Sequence, residues 1–181
     1  MISIKINDIN NFMQNLLVKD TFDSFLICSG EIITGSSFSF DGHINKAFFD
    51  KDEIENFTED FATWKNLRNI CFEIIKGKKV PTRLKLVMAF PKVNYSKIVR
   101  ELGSSIAEEN ISGLYFHIIY ESNQIHIITS SSLNLFTMDK SLDNYWDKLI
   151  SKFLESHFDT EILHPYILQQ LGLYLLYYFL Q

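Results

Sequence analysis

The chain is poor in residues that break a backbone or cross-link it. Three prolines and seven glycines in 181 residues leave no stretch that reads as a flexible linker. The only two cysteines, Cys28 and Cys71, lie far apart among apolar neighbours, without CxxC or other metal-type spacing. They read as buried free thiols in a reducing, cytoplasmic setting. Positive charge is not in excess. Seventeen Lys and Arg against 22 Asp and Glu give a net charge of −5, which argues against broad adhesion to nucleic acid or an anionic membrane. The opening MISIKINDIN lacks the apolar segment and basic flank of a signal peptide. Rossmann glycines, an EF-hand loop, HExxH and GxSxG are all missing, so no cofactor is implied.

What is present is apolar and bulky. Hydrophobic residues make up 46% of the chain, with 16 Phe and 8 Tyr, enough for one substantial core.

Local patterns come in the same order twice. Ile2, Ile4 and Ile6 alternate with polar residues as a half-buried strand does. Ile9, Phe12, Met13, Leu16 and Leu17 then form one helical stripe, with Asn7 as a possible cap. Strand-rich sequence follows from 22 to 49, where Asp41-Gly42 predicts a two-residue hairpin turn and places His43 opposite Phe40. After a helical block at 51–75, Leu84, Leu86 and Met88 begin a second strand. Tyr95, Ile98, Val99 and Leu102 mark a second helix ended by Gly103. Three strands follow at about 113–121, 124–130 and 133–138, then a closing helix through Leu142, Trp146 and Phe153.

The expected fold class is therefore α+β. It has two β-α-β-β-β pseudo-repeats with antiparallel sheets, a helical insertion between them, and C-terminal helices. The chain reads as a single domain, 1–181: a first unit at 1–49, a connector at 50–82, a second unit at 83–138 and helices at 139–181. The stretch from Pro165 to Leu180 is apolar and aromatic except for Gln169 and Gln170. It is shorter than the ~20 residues that cross a bilayer, so it reads as a packing or self-association helix and no membrane span is expected.

Three stretches carry a resemblance: TFDSFLICSGEIITGSSFSFDGHI, WKNLRNICFEIIKGKKVP and SSLNLFTMDKSLDNYWDKLI. They resemble a family of uncharacterised clostridial proteins over about residues 1–157, and that resemblance implies no activity. The apolar tail departs from the family pattern. In architecture, two consecutive β-α-β-β-β units resemble one domain of the sliding-clamp processivity factors, whose helices present basic residues to DNA phosphates. Here the first helix offers Asp8 against Lys19, and the second offers Lys97 and Arg100 against Glu101. The likeness implies a fold more than a function.

Two groups of residues could carry chemistry. If Ser122-Asn123 is a two-residue turn, strand parity places Tyr115, His117, Glu121, His126 and Ser130 on one face with Ile119 and Ile128. His117, His126 and Glu121 could then ligate zinc or iron with positions left open. The alternative is an ordinary polar face, or one covered by another element. Separately, Lys76, Lys78, Lys79, Arg83 and Lys85 form the one basic strip, a possible contact for an anion or nucleic acid. The end of a helix, where cations complement the dipole, also accounts for its first three members. His157 and His164 lack visible partners, and the run Thr129–Ser132 lacks an acid–base partner.

The expectation is a non-catalytic cytoplasmic binding or scaffold protein with a protein partner or self-association through the apolar tail. Its alternatives are a clamp-like nucleic-acid accessory and a metal-dependent hydrolase built on the His/His/Glu cluster.

Overall fold

The computed structural model describes residues 1–103 and 106–163. Among these residues seven strands form one antiparallel sheet: β1 (Ser3–Ile6), β2 (Leu26–Ile33), β3 (Ser37–Asp41), β4 (Arg83–Ala89), β5 (Ile111–Glu121), β6 (Gln124–Leu133) and β7 (Thr160–Leu163). The helices are α1 (Ile9–Leu17), α2 (Lys51–Ile54), α3 (Trp64–Ile75), α4 (Tyr95–Leu102) and α5 (Ser141–Glu155). The α+β class and the antiparallel pairing are as expected.

The strand order is β3-β2-β4-β5-β6-β1-β7. This corrects the picture of two equivalent units joined side by side. β4, β5 and β6 are consecutive neighbours, whereas the same three strands separate β1 from β2 in the first unit. Alternating directions across the sheet leave β1 parallel to β2, while β4 runs antiparallel to β5. Local periodicity sets which residues face inward but carries no information about which strand lies beside which.

Several boundaries also differ. The segment 133–138 is not a separate strand, because β6 continues to Leu133 and an irregular loop follows. Asp41-Gly42 is not a hairpin turn. β3 ends at Asp41, and the Gly42 N–H donates to the Cys28 carbonyl at 2.9 Å. A Cβ at Gly42 would sit 1.7 Å from the Ile27 carbonyl oxygen, so the close approach to β2, where Cys28 bulges from the ladder, requires glycine. His43 then bridges to Phe61, with ring centroids 4.2 Å apart, instead of facing Phe40. Asp8, one residue beyond Asn7, caps α1 by accepting from the Asn11 N–H.

Ser122 and Asn123 form the expected turn, with φ of 51° and 58°, the double left-handed geometry that matches the twist of a hairpin. Gly103, at φ 57°, ends α4.

One hydrophobic cluster joins the helices to one side of the sheet. Ile4, Ile6, Ile27, Ile32, Leu84, Leu86, Met88, Phe116, Ile118, Ile125 and Ile127 project from the strands, and Phe12, Leu16, Trp64, Ile98, Trp146 and Ile150 come from the helices. Phe22 packs among Phe12, Phe25, Phe116, Phe153 and Phe158 with ring centroids 5.5–6.5 Å apart, where the abundant phenylalanine is spent. Two indoles fix the layers. Trp64 Nε1 donates to the Leu16 carbonyl at 2.7 Å, and Trp146 Nε1 donates to the Tyr115 carbonyl at 2.8 Å. Arg68 donates to the Val18 and Lys19 carbonyls and lies 3.1 Å from Asp23, pinning the loop after α1.

Candidate functional site on the helix-free face of the sheet

Strand residues alternate between two faces, so the side turned away from the helices is fixed by the same register. Directly paired residues define rows across it. One row runs Ser39, Glu31, Lys85, Ile119, His126, Lys5, Glu161. The next runs Asp41, Ser29, Val87, His117, Ile128, Ser3, Leu163. The first mixes charges of both signs around a central isoleucine; the second is mostly apolar or uncharged in its middle.

This face is less open than a bare sheet should be. Ile128 and Leu163 are only 6% and 8% exposed, yet neither belongs to the helix-side cluster. Ser3 between them is 0% exposed, and its hydroxyl finds no partner among the described residues. His126 Nδ1 is likewise buried without a partner there. Val87, Ile119 and Tyr115 are half-buried.

The register places the histidines as parity anticipated: His117 opposite Ile128, His126 opposite Ile119, Glu121 opposite Gln124. His117 and His126 are diagonal neighbours, at a spacing of ~7–8 Å for such positions. Their side chains turn to different partners. His117 Nε2 lies 3.2 Å from Ser130 Oγ, and His126 Nε2 lies 3.2 Å from Gln124 Oε1. Glu121 is exposed at the hairpin end. Among the described residues no group of three or more His, Cys, Asp or Glu is arranged to hold a metal ion. Burial, reinforced by the Lys85 ammonium, pushes the His117 imidazole down to about 4. Burial and then Lys5 lower His126 as well. Both rings are therefore neutral at pH 7, able to donate one hydrogen bond and accept another.

The basic strip is divided by the sheet. Lys76 and Lys79 line a groove of about 720 Å³ between the start of α1 and the end of α3, floored by Met13, Phe72 and Tyr120. Lys76 is also ion-paired with Glu73. Arg83 and Lys85 occupy odd positions of β4, on the opposite face, with Arg83 Nε 3.6 Å from Glu31 Oε2. Lys76 and Lys79 on one side and Arg83 and Lys85 on the other, which read as one strip in sequence, thus serve two surfaces.

Sequence reasoning did not find Lys5, Ser3 or Val87 as members of this face. Their parity was legible, but their placement beside His126, Ile128 and His117 depends on long-range pairing. β7, with Leu163, was missed because four residues after a helix give too short a pattern. The apolar segment Pro165–Leu180 lies outside the described residues. Among the described residues, no helix is long and apolar enough to cross a membrane. Cys28 and Cys71 are free, and burial pushes both thiols up to about 12.

No curated protein and no solved structure matches the chain. A family model does match, across residues 15–160, so the match ends where β7 begins. The chain belongs to DUF5721, a family of unknown function.

Proposed function

We propose that the protein is a non-catalytic binding module that works through the helix-free face of its sheet. One observation carries this reading. The helices that bury side chains all feed a single cluster on one side, while the other side carries half-buried apolar residues and neutral, polar ones that no described helix packs against. A solvated sheet face ordinarily carries polar side chains; Val87, Ile119, Ile128 and Tyr115 in its middle suit a surface that is covered when the protein works. The mixture of apolar centre and charged margins is that of a protein-binding patch. Two free thiols support a reducing, cytoplasmic setting.

The hydrolase reading has less behind it, since His117, His126 and Glu121 each engage different surroundings. Reproducible turnover of a phosphodiester or ester library, lost in His126→Ala, would displace the binding reading. So would stoichiometric transition metal in the purified protein, released by replacing His117 or His126.

The direct test is site-specific photo-crosslinking in cells. A photoreactive residue at Ser39 or Gln124, both exposed on the helix-free face, should trap a discrete partner species. The same residue at Lys65, exposed on α3, should not. Equal or absent trapping at all three positions would count against the proposal.

A further inference from the structure

The groove between α1 and α3 lies on the helix side of the sheet, away from the surface proposed above. The two helices are tied together where α1 ends and α3 begins. There Trp64 Nε1 donates to the Leu16 carbonyl, and Arg68 donates to the Val18 and Lys19 carbonyls. The recess of about 720 Å³ occupies the other end, between the start of α1 and the end of α3. Lys76, which caps α3, takes an extended ψ of 132°, so the chain leaves the helix there. Residues 76–81 then form one wall and return to the sheet through the buried Pro81.

The lining is mainly apolar. Ile9, Met13 and Ile75 are half-buried, and Tyr120 is buried beneath them. Phe72 and Val80 are 37% and 74% exposed although they border a concavity. Open apolar side chains in a recess of ~300–1,000 Å³, with a few polar groups at the rim, are the usual make-up of a small-molecule site. Met13 supplies an unbranched side chain that can adapt to an occupant's shape.

The rim charges narrow the chemistry further. Asp8, Lys76 and Lys79 border the groove. The Asp8 carboxylate accepts from the Asn11 N–H at 2.9 Å, and Lys76 is ion-paired with Glu73. Lys79 has no ion pair among the described residues. One cation beside an apolar recess is thus left for an occupant. A polyphosphate or a nucleic-acid strand would bring several negative charges to a rim where Asp8 and Glu73 repel them. A single carboxylate on an apolar body suits both the recess and its rim.

We infer that the α1–α3 groove binds a small apolar monocarboxylate of the fatty-acid class. Its chain lies on Met13, Phe72 and Val80, and its carboxylate accepts a charge-assisted hydrogen bond from Lys79 Nζ. This site is independent of the helix-free face and stands or falls without it.

The test titrates the full isotope-labelled chain with decanoate, below its micelle-forming concentration, and follows amide signals. Those of Met13, Phe72 and Val80 should shift saturably. Lys79→Gln, at an exposed position, should weaken binding about tenfold, and Lys79→Arg should restore it. Decanol and inorganic phosphate, which each carry half of the chemistry, should bind at least tenfold more weakly than decanoate. Absence of saturable shifts at the three residues would overturn the inference. So would equal affinity in Lys79→Gln, equal affinity for decanol or phosphate, or shifts confined to Val87, Ile119 and Ile128 on the opposite face.

Discussion

His117 Nε2 lies 3.2 Å from Ser130 Oγ, a pairing across β5 and β6 on the side of the sheet that no described helix covers. The ring's pKa falls to about 4 because burial disfavours the imidazolium, with Lys85 adding to the effect. His126, Lys5, Lys85 and Glu31 share the neighbouring row, and Arg83 and Glu121 the one beyond. In the unfolded chain the same imidazole titrates near 6.5. The folded state therefore binds fewer protons between those values. Its stability from this group is complete above about 6.5 and drains away as pH falls toward about 4. The urea midpoint should drop between pH 7 and pH 5, and His117→Gln should flatten that slope by on the order of tenfold in the folding equilibrium. An unchanged slope would show that the imidazole is solvated.

Gly42 and Gly35 make a controlled pair. Gly42→Ala places a methyl against the β2 backbone, which cannot yield as a side-chain tip can, and should cost roughly 1–3 kcal/mol in a urea titration. A methyl added at Gly35 would meet nothing within 4 Å, so Gly35→Ala should change stability by less than ~0.5 kcal/mol.

Trp64→Phe keeps most of the buried ring but leaves the Leu16 carbonyl without its indole donor. The expected loss is roughly 1–3 kcal/mol in the same titration. A loss near zero would mean that the carbonyl finds another donor.

The hairpin turn offers a prediction of opposite sign. Ser122 holds φ 51°, a conformation that costs an L side chain ~1 kcal/mol or more. Ser122→Gly should stabilise by about that much, and Ser122→Val should destabilise, both read from thermal unfolding.

How much was legible follows from the range of each signal. The β5–β6 hairpin and the parity of His117, His126 and Glu121 were readable because Ser122-Asn123 is a local turn with a local cause. The stripes of α1, α4 and α5 were readable for the same reason. Asp41-Gly42 misled because a short-range dipeptide serves equally well where a backbone must pass close to another strand. The pairing of β1 with β6 and β7 left no local trace, and it is what assembles the candidate surface. Local rules found the β5 and β6 residues of the site, and only the sheet order added Lys5, Ser3, Val87 and Leu163 beside them.

The place of β1 has a consequence for how the molecule is made. Ser3 pairs with Ile128, so the partner of the first strand leaves the ribosome roughly 125 residues later. Until then Ile4 and Ile6 have no ladder to join, and such distant closure slows the search for the native arrangement. The nascent polypeptide can form its β2–β3 and β2–β4 ladders early, but it must carry an unmated isoleucine-rich strand until β6 emerges. That is the interval in which a holdase chaperone would find something to hold.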